Sequence, residues 1–338
     1  MEAAARDAGE PSARMAEACV PFENRPTVVL VIGMAGSGKS TWLARMVSQC
    51  KSVGKAAYVI NLDPAVQAVG YKSNIDIRDT VHYKNVMATY NLGPNGGIVT
   101  SLNLFATRFD QVVELVEKRA AAAHQPPAEG KKPKKPLDYV FVDTPGQIEV
   151  FTWSASGTVI SEGLGSGFPT VLCYLADTPR CTGPQTFMSN MLQACSMLYR
   201  FSGLPLVLCF NKIDVARHEF AESWMADFEA FFEALDGEAG AGPQGQQGGG
   251  YSLSLCRSLA LALEPFYRSL QAVGVSAITG EGCDAFFRQL DAAREAYFRD
   301  YYPELVRRQE ANERASAARR EANHAAFARD HQPAAGGV

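Results

Sequence analysis

The chain contains 338 residues, of which 47% are hydrophobic, so it can bury one large core. Its 32 basic and 36 acidic residues give a formal net charge of -4, and this balance does not support a protein that coats polyanions through its overall charge. The eight cysteines include no CxxC pair, which is typical of reduced, mostly buried thiols rather than of a secreted disulfide framework.

The first 25 residues mix acidic and basic side chains with alanines. They lack the apolar run of a secretory signal peptide, so residues 1–25 are predicted to form a flexible leader. The central apolar run 171–176 is far shorter than the roughly 20 residues that a membrane-spanning helix needs. We therefore expect a cytosolic or nuclear protein without a membrane span.

Runs of β-branched and aliphatic residues recur along the chain, and helical stretches separate them. The first run, 27–32, is apolar almost throughout, which is typical of a strand buried on both faces of a parallel sheet. The other predicted strands are 56–60, 139–142, 171–175, 206–210 and a short one at 273–275. This alternation predicts a three-layer α/β fold with a mostly parallel sheet.

A glycine-rich loop follows the first predicted strand. Residues 33–40 read GMAGSGKS and match the P-loop pattern G-x-x-x-x-G-K-[ST] between a strand and a helical run. Its backbone N–H groups and the helix N-terminus can surround phosphate oxygens, with Lys39 on the β and γ phosphates and Ser40 on Mg²⁺. A glycine turn that merely joins strand to helix is the alternative. The predicted phosphate-binding residues are Gly33, Met34, Ala35, Gly36, Ser37, Gly38, Lys39, Ser40 and Thr41.

Two further segments precede the third predicted strand. Asp63 ends the second strand, where its carboxylate can reach the γ phosphate, Mg²⁺ or the attacking water. A helix-capping aspartate before Pro64 is the alternative. Residues 93–97 (GPNGG) are so dense in glycine that we predict an exposed loop, not a helix, on a long helical excursion.

Residues 143–147 (DTPGQ) directly follow the third predicted strand. A carboxylate at the end of a strand beside the phosphate loop can hold Mg²⁺ directly or through water, so Asp143 is the predicted metal ligand together with Ser40. Gly146 lets the backbone approach the γ phosphate, and Gln147 is placed to orient water. On its own, a helix N-cap would explain Asp143 about as well.

Residues 211–214 (NKID) directly follow the fifth predicted strand. A carboxylate at Asp214 can accept hydrogen bonds from both N–H groups on the pyrimidine edge of guanine, whereas adenine presents no such pair of donors. The prediction is therefore GTP rather than ATP, although a surface turn would also explain the four residues alone. The predicted base-binding residues are Asn211, Lys212, Asp214 and, through backbone contacts, Ser276 and Ala277.

Several segments are predicted to be linkers or appendages. Residues 124–136 are rich in lysine and proline and favour an exposed, extended connection over a nuclear-import or polyanion-binding patch. Residues 237–250 are so rich in Gly and Gln that we predict a disordered insertion. The leucines between 253 and 263 favour a core-facing helix over an export-type motif. Residues 303–338 predict a charged tail, helical in part.

With these loops in place, the segment Gly93-Pro94-Asn95 resembles the signature of the GPN-loop GTPases. The resemblance covers residues 26–302, which we predict to form the GTPase domain. Residues 33–36 and 58–65 are further similar to the first of the three eukaryotic paralogues of that family. The leader and the Gly/Gln-rich insertion fall outside the family pattern.

The resemblance implies a dimeric, Mg²⁺-dependent GTPase in which Asn95 of one subunit helps to place the hydrolytic water of its neighbour. It also makes Glu149 a candidate, beside Gln147, for positioning that water. The partner it implies is a paralogous GPN-loop GTPase or a second copy of the chain. The implied role is assembly and nuclear import of RNA polymerase II, with shuttling between cytoplasm and nucleus and without direct nucleic-acid contact.

Other functions compete with a GTPase. An assembly scaffold that binds nucleotide and hydrolyses little requires Asp63, Gln147 or Glu149 to be misplaced. A related dimeric ATPase would carry a second lysine where Met34 stands, and residues 211–214 favour guanine. A kinase can be built on any P-loop, but the water-orienting Gln147 favours hydrolysis.

Overall fold

A computed structural model describes residues 20–123, 135–201, 203–240 and 249–330. The described strands are β1 (Thr27–Ile32), β2 (Ala57–Asn61), β3 (Ile75–Asp76), β4 (Tyr139–Asp143), β5 (Thr170–Asp177), β6 (Leu206–Asn211) and β7 (Gln271–Val275). The helices are α1 (Lys39–Ser52), α2 (Ile77–Thr80), α3 (Tyr83–Tyr90), α4 (Pro94–Ala106), α5 (Phe109–Ala121), α6 (Ile148–Thr152), α7 (Ala155–Gly167), α8 (Thr178–Cys181), α9 (Pro184–Arg200), α10 (Glu219–Ala226), α11 (Phe228–Gly240), α12 (Gly249–Ala262), α13 (Glu264–Ser269), α14 (Cys283–Ala296) and α15 (Tyr302–Asp330). A 3₁₀ turn (Phe22–Asn24) precedes β1, and a π turn (Tyr297–Tyr301) joins α14 to α15.

The strands form one sheet in the order β3-β2-β4-β1-β5-β6-β7, and every neighbouring pair is parallel. This confirms the predicted α/β class. Strand β1 lies between β4 and β5, with Val31 opposite Asp143. Because parallel strands all end at the same edge, the loops that follow β1, β4 and β6 meet there.

Helices cover both faces of the sheet, so the central strands are apolar on both sides. In β1, Val28, Leu30 and Ile32 belong to the core of one face, and Val29 and Val31 belong to the core of the other. The second core contains Trp42 of α1, whose ring meets Phe141 and Phe286 edge-on. The packing fixes α1, and with it the phosphate loop, against the sheet.

The sequence located the six longer strands to within two residues and missed β3. That strand pairs with β2 through only two residues, Ile75 and Asp76, and two residues are too short to show a hydrophobic period. None of the helices in the described ranges has the length and apolar character needed to cross a bilayer.

The prediction of a loop at 93–97 is wrong for residues 94–97, because α4 begins at Pro94 with Gly93 as its N-cap. Proline suits the first turn of a helix, where its missing N–H has no intrahelical partner. A side chain at Gly97 would lie 2.5 Å from the Met87 side chain, so this glycine allows α4 to pack closely on α3. Tyr83 of α3 also donates a hydrogen bond to the Pro94 carbonyl at 3.1 Å.

Residues 20–25 do not behave as the flexible leader predicted for 1–25. Phe22 stacks on Tyr302 with ring centroids 4.8 Å apart, and Arg25 donates hydrogen bonds to Glu117 and to the carbonyl of Gly167. These aromatic and polar contacts outweigh the local composition. Residues 1–19 lie outside the described residues.

The other predicted appendages are described in part. Residues 237–240 end α11 and residues 249–250 begin α12, so the prediction of disorder is wrong for both flanks of the insertion, while 241–248 lie outside the described residues. Packing of α11 on α12 extends the helices into glycine-rich sequence. In the basic connection, 124–134 are not described and 135–136 are exposed coil. Helix α15 runs to Asp330, and 331–338 are not described.

The turn between β7 and α14 depends on Gly282, whose φ is +80°. A side chain there would collide with the carbonyl oxygen of Gly274, so we expect Gly282→Ala to lower the free energy of unfolding by about 3 kcal/mol or more. Gly280 also has positive φ, but its nearest neighbour, the Arg45 side chain, is 3.6 Å away. Gly280→Ala should therefore cost only about 1–2 kcal/mol of backbone strain. Urea unfolding of both variants measures the difference, and equal losses would contradict a role for the close approach.

Candidate nucleotide-binding site

The loop after β1 has the backbone of a phosphate-binding loop. Gly36 and Gly38 have φ of 82° and 88°, which glycine adopts without strain. A side chain at Gly38 would also lie 2.7 Å from the amide nitrogen of Asn211. The loop therefore needs glycine at 38 for two reasons, its own turn and the close approach of the loop after β6.

Lys39, the first residue of α1, is only 7% exposed. Its Nζ donates hydrogen bonds to the carbonyl oxygens of Gly33 (2.8 Å) and Met34 (3.2 Å), so the ammonium lies across its own loop. Burial lowers the pKa of Lys39, and the charges of Asp143 and Asp63 act in the opposite direction. The positive charge thus faces two carboxylates at the edge of the sheet.

Asp143 at the end of β4 is the predicted metal ligand, and its surroundings fit that role. Its Oδ2 accepts hydrogen bonds from Ser40 Oγ (3.0 Å) and the Tyr71 hydroxyl (2.6 Å), while its buried Oδ1 has no hydrogen-bond partner among the described residues. Burial raises the pKa of Asp143, and the bonds from Tyr71 and Ser40 and the charge of Lys39 oppose that rise. An unsatisfied carboxylate oxygen beside a serine hydroxyl is a hard-oxygen donor set of the kind that Mg²⁺ prefers.

Tyr71 is a site residue that the sequence did not reveal. It lies in the loop between β2 and β3, in no recognisable motif, and reaches Asp143 across 72 residues of sequence. Burial and the neighbouring charge of Asp143 raise the pKa of Tyr71, so its hydroxyl keeps its proton and can donate to the carboxylate.

Asp63 lies against the loop after β4. Its Oδ2 accepts a hydrogen bond from the backbone N–H of Gly146 at 3.4 Å, and its Oδ1 accepts one from the N–H of Ala65 at 2.9 Å. In the described segment 62–74 no helix begins after Asp63, so the helix-capping alternative is wrong, and the bond from Ala65 closes a local turn instead. Asp63 thus stabilises its own loop and also contacts the segment 143–147. Gln147 precedes α6, and its buried Oε1 has no hydrogen-bond partner among the described residues. Glu149 is exposed on α6.

The loop after β6 is joined to the phosphate loop by side chains. Asn211 donates from Nδ2 to the Ser37 carbonyl (2.8 Å) and accepts at Oδ1 from the Ala277 N–H (3.3 Å). Lys212 Nζ donates to the Gly36 carbonyl and to Asp177, each at 2.8 Å. These bonds hold the loop with the predicted base-binding residues against the phosphate loop.

Asp214 is exposed, and its Oδ1 accepts a hydrogen bond from the buried Ser276 hydroxyl at 2.6 Å. The Ser276 side chain therefore orients Asp214, whereas the sequence predicts only backbone contacts for Ser276. Ala277 is buried beside it. Thr41, the last residue of the predicted phosphate-binding set, is exposed in the first turn of α1.

Comparison with known proteins identifies the family. A family model described as "Conserved hypothetical ATP binding protein" matches residues 31–296. GPN-loop GTPase 1 of Schizosaccharomyces pombe is 46% identical over 91% of this chain and 80% of its own length. This chain belongs to the GPN-loop GTPase family.

Two other members are similar to it. GPN-loop GTPase 1 of Dictyostelium discoideum is 52% identical over 83% of this chain, and GPN-loop GTPase QQT2 of Arabidopsis thaliana is 54% identical over 81%. The chain spans 65% and 66% of the length of these two relatives. An apo-form GTPase structure from Pyrococcus abyssi matches with a TM-score of 0.60 at 22% identity, over 81% of this chain and 98% of that one, which supports the fold.

The residues Gly93, Pro94 and Asn95 lie at the start of α4 and not in the loops that follow β1, β4 and β6. Asn95 is exposed in the first turn of α4, and no hydrogen bond among the described residues joins it to the phosphate loop. Helix α4 does pack on α6, the helix that follows Gln147. The helix that begins with the GPN segment thus packs on the helix that follows the segment 143–147.

Proposed function

We propose that this chain is a Mg²⁺-dependent GTPase that binds GTP between residues 33–40 and 211–214 and hydrolyses it by in-line attack of water. The observation that carries the proposal is the bridge made by Asn211 between Ser37 and Ala277. Through this bridge, a loop that can hold phosphates and a carboxylate that can read a base form one rigid site.

Selectivity for guanine is supported by the chemistry of Asp214. The Ser276 hydroxyl orients one carboxylate oxygen, and the exposed side of the group can accept the two N–H donors of guanine. Adenine, which lacks that pair of donors, would leave the carboxylate unsatisfied. The relatives are named GTPases, whereas the family description names ATP. Asp214 favours GTP over ATP.

At the phosphate end, the loop N–H groups and Lys39 bind and orient the β and γ phosphates. Ser40 and Asp143 would hold Mg²⁺, which, when bound, neutralises negative charge on the phosphates. Ser40 already lies within 3.0 Å of Asp143 Oδ2, so the two oxygens need no large rearrangement to act together.

The attacking water needs an acceptor, and Gln147 supplies one. Its buried, unpartnered Oε1 can accept a hydrogen bond from water, and Asp63 on the neighbouring loop can accept a proton or orient the same water. Glu149 and Asn95 are both exposed, so we assign them to a site completed by a second subunit. That subunit is a paralogous GPN-loop GTPase or another copy of this chain.

The test is GTP and ATP hydrolysis by Gln147→Ala with nucleotide affinity measured on the same samples. We expect kcat for GTP to fall about 100-fold, because an acceptor for the water is lost, and Kd for GTP to change less than about twofold. Gln111→Ala, at an exposed position of α5, is the matched control and should behave as wild type. A Gln147→Ala enzyme with wild-type kcat would contradict the assignment.

A nucleotide-bound scaffold is the second candidate function, favoured by the exposure of both Glu149 and Asn95. Wild type that binds GTP tightly but releases no phosphate, even with a paralogous partner, would establish it.

Whether the protein hydrolyses GTP or only binds it, we propose that it acts as a dimer in the nucleotide-dependent assembly and nuclear import of RNA polymerase II, in cytoplasm and nucleus. Sedimentation with and without GTP tests the dimer.

A further inference from the structure

A polar cluster with two buried members and one partly buried member holds the loop 62–74, which carries Asp63 and Tyr71. The cluster consists of Asn61 at the end of β2, Asp76 at the end of β3 and Arg78 in α2, and we refer to it as the Asn61–Asp76–Arg78 clamp. Asn61 and Asp76 stand opposite each other in the parallel pairing of β2 with β3. The clamp therefore closes the base of the loop.

Asp76 is the centre of the clamp and is only 6% exposed. Its Oδ1 accepts from Asn61 Nδ2 (3.1 Å), the Arg78 N–H (3.0 Å) and Arg78 Nε (2.8 Å). Its Oδ2 accepts from Arg78 Nη2 (2.7 Å) and Ser73 Oγ (3.1 Å). Burial by itself would raise the pKa of Asp76, but the bonds from Arg78, Asn61 and Ser73 outweigh it and lower the pKa to about 2. The carboxylate is therefore ionised at neutral pH.

Asn61 connects Asp76 to the backbone of Asp63. The fully buried amide accepts a hydrogen bond at Oδ1 from the Asp63 N–H (3.1 Å) and lies with Nδ2 3.3 Å from the Asp63 carbonyl. The same Nδ2 donates to Asp76. Both polar groups of the Asp63 backbone are thus held by one side chain, whose orientation Asp76 sets.

Arg78 fastens the middle of the same loop. While Nε and Nη2 engage Asp76, Nη1 donates to the carbonyl oxygens of Val66 (3.1 Å) and Gln67 (3.3 Å). Only a planar guanidinium offers donors in this fixed fork, and a lysine ammonium cannot reach all of these acceptors from one position.

We propose that the clamp is a positioning device for the hydrolytic step. Its three residues set the backbone of Asp63, so that the carboxylate meets the N–H of Gly146, the neighbour of Gln147. The inference rests on the proposed function in one respect, because the part of Asp63 in hydrolysis is taken from it. The simpler role, in which the cluster merely stabilises the edge strand β3, predicts a loss of stability without a specific loss of rate.

The experiment compares Arg78→Lys with Arg25→Lys in the full-length protein. Arg25 also joins a carboxylate, Glu117, to a backbone carbonyl, that of Gly167, and it lies outside the nucleotide site, so its variant is a matched control for lost arginine bonds. We expect kcat of Arg78→Lys for GTP to fall about 10-fold to 100-fold, and Kd for GTP to change less than about threefold. Arg25→Lys should keep the wild-type kcat.

Amide hydrogen exchange provides a readout that does not depend on activity. We expect residues 62–74 to exchange faster in Arg78→Lys and to be unchanged in Arg25→Lys. A wild-type kcat for Arg78→Lys, or equal losses of kcat in both variants, would overturn the positioning role. Unchanged exchange in 62–74 would show that Arg78 does not hold the loop.

A double-variant cycle distinguishes a failure of the clamp proposal from a failure of the proposed function. If the clamp acts through Asp63, Arg78→Lys should slow an Asp63→Asn enzyme by less than about twofold, because the two losses are then not additive. Additive losses would overturn the route through Asp63 while leaving GTP hydrolysis intact. If wild type hydrolyses no GTP, the proposed function fails, and the exchange measurement alone decides whether the clamp holds the loop.

Discussion

Lys39→Met is expected to reduce kcat for GTP by about 10³-fold or more. The lysine charge is already desolvated and held over the phosphate loop by the carbonyls of Gly33 and Met34, so little reorganisation is needed for it to meet phosphate oxygens. Methionine has a similar length and no charge. Its substitution therefore removes the charge that stabilises the transferring phosphoryl group while preserving the packing of α1.

The measurement is single-turnover GTP hydrolysis, with Lys51→Met as control because Lys51 is exposed on the same helix. Thermal unfolding separates loss of function from loss of fold. Because burial lowers the pKa of Lys39, its protonated form costs stability in the folded state, and we expect Lys39→Met to unfold at the wild-type temperature or above. A variant that keeps more than about a tenth of the wild-type rate would contradict the role of Lys39.

Asp214→Asn is expected to change the base that the site accepts. The carboxylate can accept two N–H donors of guanine, whereas an amide offers one acceptor and one donor group and would leave a guanine donor unpaired. We expect GTP affinity to fall about 100-fold or more. Xanthosine triphosphate carries a carbonyl where guanine has its amino group, so it should bind Asp214→Asn more tightly than it binds wild type.

Equilibrium binding of GTP, ATP and xanthosine triphosphate measures this exchange. Asp110→Asn, at an exposed position in the first turn of α5, is the control and should retain the preference for GTP. Ser276→Ala removes the bond that orients Asp214 and the bond that the same hydroxyl accepts from the Thr279 N–H, but it leaves the carboxylate in place. It should therefore weaken GTP binding less than Asp214→Asn does. If Asp214→Asn kept wild-type discrimination between GTP and ATP, the base would be read elsewhere.

Contiguous motifs explain why so much of the site could be predicted from the sequence. Residues 33–40, 143–147 and 211–214 each follow an apolar strand, and parallel strands bring their ends to one edge. The bonds from Ser40 to Asp143 and from Asn211 to the phosphate loop agree with that expectation. The roles of these residues in catalysis remain predictions that the variants above test.

The errors arose where tertiary packing overrode local composition. Glycine density argued against a helix at 94–97, but close packing of Gly97 on α3 makes that helix favourable. Contacts of Phe22 with the distant Tyr302 order residues that looked like part of a leader.

The sequence by itself determined the α/β class, the P-loop at 33–40 and the place of the loop at 211–214 after its strand, because each depends on residues adjacent in the chain. Only the tertiary structure decided that Tyr71 bonds Asp143 and that Arg78 and Asp76 hold the loop of Asp63. These contacts join separate segments with no shared motif or period. They exist because β3 pairs with β2 and so folds the loop 62–74 back over the end of β4.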